Sequence, residues 1–302
     1  MPAKFTVNPQ PFPNYFVSHG GPTFMYGQSN GDVGAYKHLQ QLGAQIKAWK
    51  PDYIVVLSAH WQSSAPNLIE VATVADQEEN PLIYDFYGFP KYMYQEEFHT
   101  KNLRSVGELI ASQLQTAGFD SKLTKRGLDH GVWVPFKAAF TNYNTMTQEK
   151  YSGGLDLPDT ALIQVSLPYD DTDFKTAYKL GQAIDKFRSH LVWDDASQCY
   201  LKGLVIFSGM SVHNLRELGS PYAEPYSRQF NELLRQIFAN NTHLLLLLER
   251  IKHDHTKLLY RAHPTLEHFL PLVIGSGSAG KEGVKELYNS ESGSLGWGIY
   301  QF

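Results

Sequence analysis

Four of the twelve histidines stand where an apolar run ends or a new element begins. His19 closes Tyr15-Phe-Val-Ser-His19, and His60 closes Tyr53-Ile-Val-Val-Leu-Ser-Ala-His60. His213 closes Leu204-Val-Ile-Phe-Ser-Gly-Met-Ser-Val-His213, and His268 lies in His263-Pro-Thr-Leu-Glu-His268. In an open α/β sheet, ligands bind in the crevice at the carboxyl ends of the strands. Imidazoles delivered there by the three separate strands ending at His19, His60 and His213 can converge on one cation, so a mononuclear metal centre is the leading expectation.

Small residues flank these positions: Ser18 and Gly20-Gly21-Pro22, Ser58-Ala59, and Ser208-Gly209. Glycine lets backbone approach a bound ion or ligand closely. His130 sits in Gly127-Leu-Asp-His-Gly131 before the apolar run Val132-Trp-Val-Pro-Phe136, either as a turn residue or in the pocket. His268 follows Pro264, which suits the first turn of a helix, so His268 is expected to project from a helix start beside Glu267. The other seven histidines (His38, His99, His190, His243, His253, His255 and His263) are read as surface or core residues, His263 least firmly. His253-Asp-His255 belongs to a charged helical face with Glu249, Arg250, Lys252 and Lys257.

The elements that must position these groups alternate between Val/Ile/Tyr-rich runs and helical patterns, the signature of a layered α/β fold. We expect one domain over residues 1–302, with a central mixed, mostly parallel sheet flanked by helices and the metal site at the carboxyl ends of its strands. Strands are expected near 15–19, 53–60, 68–73, 122–125, 161–167, 203–209, 270–275 and 297–302. Helices are expected near 34–49, 95–117, 132–140, 173–190, 224–239 and 254–260. The stripe Leu39, Leu42, Gly43, Ile46, Trp49 stops at Pro51, and Leu103, Val106, Leu109, Ile110, Leu114 ends near Gly118. Between Asp76 and Tyr94, eight Pro, Tyr and Phe residues crowd together. This segment either packs on the domain edge or walls an apolar, ring-shaped ligand. A polar stretch from Thr141 to Thr160 carries Gly153-Gly154 and reads as a loop.

Composition narrows the function classes. The chain has 302 residues, 42% hydrophobic and 19% charged, with a net charge of −4, which is ordinary for a globular protein. No concentrated basic face points to nucleic acid. No run approaches the length of a membrane span, since Leu244 to Leu248 is short and flanked by charge. The single cysteine, Cys199, excludes an internal disulfide and is read as a structural thiol. Met1-Pro-Ala-Lys-Phe-Thr lacks the apolar stretch of a signal peptide, so a cytoplasmic location is expected.

Five segments together resemble one family: Ser18-His-Gly-Gly-Pro22, Leu57-Ser-Ala-His-Trp61, Leu128-Asp-His-Gly131, Ser208-Gly-Met-Ser-Val-His-Asn-Leu215 and Pro264-Thr-Leu-Glu-His-Phe-Leu-Pro271. They are similar, in order and across nearly the whole chain, to the LigB-type (class III) extradiol ring-cleavage dioxygenases, nearest the 4,5-DOPA-dioxygenase-like branch. Asp85-Phe-Tyr-Gly-Phe-Pro90 and Gly293-Ser-Leu295 also look like that branch. The resemblance implies that His19 and His60 bind the metal. His268 completes the set, with the neighbouring Glu267 in reserve because other relatives use a glutamate. It makes His213 either a further ligand or the acid/base beside the metal, and His130, a catalytic candidate, a donor either behind the ligands or facing the substrate.

The implied partners are a small aromatic diol and dioxygen, and the implied cofactor is one divalent metal per chain. Fe(II) serves turnover, while the same imidazoles also suit Zn(II). An imidazole near the diol can take and return its proton at neutral pH. A zinc hydrolase on the same ligands and a non-enzymatic LigB-fold binding protein are the competing readings. Gly275-Ser-Gly277-Ser-Ala-Gly280 mimics a dinucleotide fingerprint but lacks the helix, strand and acidic residue that should follow. We read it as a tight loop near the pocket.

Overall fold

The computed structural model describes residues 2–27, 31–74, 79–140, 157–240 and 242–302. Its centre is an eight-stranded mixed sheet. From edge to edge the strands are Lys285–Tyr288, Ile299–Gln301, Tyr15–Ser18, Gly203–Gly209, Tyr53–Gln62, Ala161–Leu167, Leu68–Thr73 and Asp120–Lys125. The central four run parallel to one another. The Leu68–Thr73 strand pairs antiparallel with Ala161–Leu167 through Val71 and Val165, and parallel with Asp120–Lys125. Ile299–Gln301 joins antiparallel to Tyr15–Ser18. The expected layered α/β architecture is the one observed.

Burial on both faces explains the continuous apolar runs. In the Tyr53–Gln62 strand, Tyr53, Val55 and Leu57 enter one core while Ile54 and Val56 enter the other. The first core is covered by helices Arg104–Thr116, Phe174–Ile184, Glu224–Ala239 and Leu244–Asp254. The second is covered by Val33–Trp49 and His130–Phe140. Asp32 caps the Val33–Trp49 helix through its side chain, and Lys50 ends it in the left-handed conformation just before Pro51.

One expected strand is a helix. Leu270–Ser278 is helical with Pro271 in its first turn, and all nine residues are buried. A helix apolar on every side shows no periodic face, so its short apolar run resembles a core strand. The glycine-rich run read as a loop lies in the same helix: Gly275 and Gly277 are within it, and only Gly280 beyond its end takes positive φ. These glycines serve close packing. A Cβ on Gly277 would meet the carbonyl of Tyr178, and one on Gly181 would meet the carbonyl of Ile274.

Other boundaries also shift. The helix expected over 95–117 spans Arg104–Thr116, because Lys101 instead forms bridges with Glu79 and Ala161. The 173–190 pattern divides into Phe174–Ile184 and Lys186–Ser189. The charged helical face at Glu249, Arg250 and Lys252 belongs to a helix that begins earlier, Leu244–Asp254, taking in the Leu244 to Leu248 run and burying Leu244, Leu248 and Ile251. Among the described residues, no helix is long and apolar enough to cross a membrane. Short strands Phe5–Val7, His190–Asp194 and Cys199–Leu201 form a side sheet too brief for periodicity to reveal. Cys199 is exposed there, not a buried structural thiol. Most of the Thr141–Thr160 stretch, including Gly153-Gly154, lies outside the described residues.

Candidate metal centre

Three imidazoles from distant segments meet at the carboxyl edge of the sheet. His19 follows the Tyr15–Ser18 strand, His60 lies near the end of Tyr53–Gln62, and His268 sits in the turn before helix Leu270–Ser278. Each offers a ring nitrogen within 4.8 Å of the others. The ring centroids are 5.0 Å apart for His19–His60, 5.3 Å for His19–His268 and 4.9 Å for His60–His268. Pro264 does not open a helix; that role falls to Pro271, and His268 is presented by the turn between them.

His213 departs from the expectation of three convergent sheet strands. The long strand stops at Gly209, and His213 belongs to a separate short strand, Val212–His213, paired with Leu295–Gly296. Its ring stacks on that of His268, with centroids 3.6 Å apart and planes 14° from parallel. It groups with Glu267 and His268, not with His19 and His60. His130, the first residue of its helix, has its ring 4.0 Å from that of His60.

Hydrogen bonds for His19 and His268, and a facing carboxylate for His60, set the free nitrogen of each ring. Ser208 Oγ donates to the carbonyl of Gly131. It therefore accepts from His19 Nδ1, 3.0 Å away, leaving the lone pair on His19 Nε2. Asp85 Oδ2 lies 3.4 Å from His60 Nδ1, and Glu267 Oε1 lies 2.9 Å from His268 Nδ1. A carboxylate opposite Nδ1 draws the ring proton there and frees Nε2, as in metal sites whose histidines are oriented by outer partners. Glu267 thus supports His268 and is itself held by Thr265 Oγ1 at 3.0 Å.

Consequently His19 Nε2 and His60 Nε2 face each other at 3.2 Å with a lone pair each. That contact is repulsive without a cation. A proton does not serve at neutral pH. Burial, then repulsion from His130, lowers His60 to about 4. Burial, then His60, puts His19 well below its ordinary value. Burial and then His213 do the same to His268. At a metal–nitrogen distance of about 2.05 Å, right-angled and tetrahedral ligands stand about 2.9 and 3.3 Å apart. The observed separation lies between them, so the donor set fits a divalent metal.

Several supporting residues were not foreseen. Asp85 Oδ1 accepts the backbone N–H of His130 at 2.9 Å and lies 2.9 Å from His130 Nδ1, though that ring contact is too bent to make a good hydrogen bond. Burial opposes ionisation of Asp85, but the His130 contacts and the charge of His60 hold its carboxyl below the usual range. Fully buried Asp129 accepts from Ser58 Oγ at 2.7 Å and from Arg126 Nη2 at 3.3 Å, beneath the Ser58-Ala59-His60 segment. Gly131 has no room for a side chain, since a Cβ there would sit 2.6 Å from His60 Cδ2. The sequence signals were present, in the small residues beside each histidine and the carboxylate inside the aromatic segment. Their partners were not visible.

The described part of the aromatic segment packs inward and borders the site. Phe86 and Met93 are buried, and the edge of Phe86 meets His130 at 5.8 Å and 89°. Tyr84 lies 5.7 Å from Trp133, whose Nε1 donates to the carbonyl of Ile83. Glu96 pins the segment by accepting from Tyr26 Oη at 2.8 Å and pairing with Lys137, while its carbonyl accepts from Tyr84 Oη. Of its rings, Tyr87 and Tyr92 are the strongly exposed ones.

Comparison with known proteins agrees with this geometry. Residues 13–299 match the model of the catalytic LigB subunit of aromatic ring-opening dioxygenase. The chain is 32% identical to the 4,5-DOPA dioxygenase extradiol-like protein of Schizosaccharomyces pombe, over 94% of this chain and 91% of that one. It is 30% identical to the 4,5-DOPA dioxygenase extradiol of Beta vulgaris, over 95% of each. An uncharacterized protein from Escherichia coli K12 shares the fold, with a TM-score of 0.64 and 21% identity over 96% of this chain and 99% of that one.

Proposed function

This chain belongs to the LigB family of aromatic ring-opening dioxygenases, and on that premise we propose that it opens a DOPA-like catechol ring by extradiol cleavage with dioxygen. The whole chain is read as one such unit. The observation that carries the reading is the meeting of His19, His60 and His268, each with its Nδ1 turned toward an outer partner. In this reading those three residues hold one divalent metal, Fe(II) for turnover, with Zn(II) able to take the same donors. Bound Fe(II) would supply the redox step and leave open positions for a diol and dioxygen.

The remaining chemistry falls to the protein. His213 is the proton acceptor for the diol: burial lowers it to about 4, so its ring is neutral and carries a free lone pair at pH 7. Its stacking on His268 keeps that base beside the metal-binding group. His130, its backbone N–H held by Asp85, serves as the donor to the substrate. Phe86, packed edge to face with His130 and backed by Tyr84 and Trp133, gives the site an apolar border suited to an aromatic ring.

The test is anaerobic reconstitution with Fe(II), then a panel of catechols with dioxygen, following oxygen uptake and the yellow semialdehyde together. Coupled uptake and colour are expected for at least one ortho-diol. Absence of both with every diol, alongside ester or amide cleavage by the zinc form, would replace this reading with a hydrolase. Inactivity in both assays would favour a binding protein.

A further inference from the structure

A further buried histidine lies behind the site. His263 is completely buried, with its ring 5.3 Å from Phe230 and 5.2 Å from Phe269. Its Nε2 contacts the carbonyl of Ser211 at 2.9 Å, while its Nδ1 is buried with no hydrogen-bond partner among the described residues. Burial lowers this ring to about 3, so it is neutral with one proton, and the facing carbonyl places that proton on Nε2.

This is a costly choice of residue. An orphaned buried nitrogen is destabilising. A phenylalanine would fill the space between Phe230 and Phe269 without that penalty. What it lacks is the N–H. The bond that this group makes joins two segments that each bring a histidine to the site: Ser211 precedes His213 by two residues, and His263 opens the turn that carries His268. Two further bonds join the same segments, from the Met210 backbone N–H to the His268 carbonyl at 2.9 Å and from Asn214 Nδ2 to the Arg261 carbonyl at 2.8 Å. The His263 bond lies between them in sequence.

We propose that His263 is a positioning residue: its N–H to Ser211 locks the His268 turn against the His213 strand and so sets how the two rings meet. The role assigned to those rings rests on the dioxygenase reading above.

The test compares His263→Gln, whose amide reaches about as far as Nε2, with His263→Phe, which keeps the ring and loses the donor. Zn(II) affinity by chelator competition is read beside kcat and KM for a turned-over catechol. Removing an outer partner of a ligand weakens metal binding by about 10–100-fold. We expect such a loss, with a fall in kcat, for His263→Phe, and affinity within about threefold of the wild type for His263→Gln on the same scale. His263→Asn, too short to reach Ser211, replaces His263→Phe should the latter not fold. Phe230→Leu disturbs the packing alone and is expected to lower thermal stability at unchanged metal affinity.

Wild-type affinity in the donor-less variant overturns the proposal. So does a His263→Gln protein that is unfolded or binds metal no better than His263→Phe. A wild type that binds Zn(II) but turns over no catechol removes the dioxygenase reading, while the affinity comparison still decides the role of His263.

Discussion

His19 and His60 point their Nε2 atoms at each other across 3.2 Å, each with its Nδ1 turned toward an outer partner. Two neutral rings hold this pose in a way that calls for a cation between them. Replacing either with alanine removes a donor and takes one contact from its partner, Ser208 or Asp85. His19→Ala and His60→Ala are each expected to lose stoichiometric metal on purification, measured by elemental analysis. His213→Ala is expected to keep most of its metal and lose turnover; a metal-free His213 variant would make that residue a ligand instead of a base.

Asp85 touches two rings, with one oxygen on His130 and the other facing His60. Asparagine keeps the shape but removes the charge and one acceptor. We expect Asp85→Asn to weaken Zn(II) binding by about 10–100-fold, the range for outer partners of metal ligands, with the fold intact by circular dichroism. Unchanged affinity would reduce Asp85 to a brace for the aromatic segment.

Gly131 borders His60 so closely that even a methyl group displaces the ring. Gly131→Ala is therefore expected to lower metal affinity and activity while costing about 1–3 kcal/mol of stability, typical of overpacking. Denaturant unfolding and metal titration measure the two effects separately.

The metal-free protein is expected to weaken as pH falls. His60 and His213 titrate at about 4 and His263 at about 3 when folded, each lowered chiefly by burial, against about 6.5 in the unfolded chain. Below pH 6.5 the unfolded state binds more protons, so stability is full above that value and declines toward pH 4. The slope is at most about 1.4 kcal/mol per pH unit for each such histidine. Urea unfolding of chelator-treated protein between pH 7.5 and 4.5 checks this; a flat profile would contradict the burial of neutral rings.

The packing of helix Leu270–Ser278 on Phe174–Ile184 depends on bare backbone. Gly181→Ala places a methyl against the Ile274 carbonyl, and a loss of about 1–3 kcal/mol is expected. Because His268 precedes this helix by two residues, metal affinity in the same variant reports how far the disturbance travels.

Much of this protein was legible in its sequence. Runs such as Tyr53–Leu57 are apolar at every position because both sheet faces are covered, and the stripe from Leu39 to Ile46 has the spacing of a one-sided helix. His19, His60 and His213 stood out because each closes an apolar run with glycine or serine close by, and His268 through its place in His263-Pro-Thr-Leu-Glu-His268. Leu270–Ser278 was misread for the converse reason: a helix buried all round carries no period. Tertiary structure alone decided the rest. It took His213 off the long sheet strand and stacked it on His268, set Glu267 against His268 Nδ1, and brought Asp85 and Ser208 to the rings of His60, His130 and His19. Local sequence records the type of each residue and the face it occupies. Which nitrogen remains free, and which carboxylate holds a ring, depends on hydrogen bonds between segments as far apart as His19 and Ser208, and those exist only after the sheet has assembled.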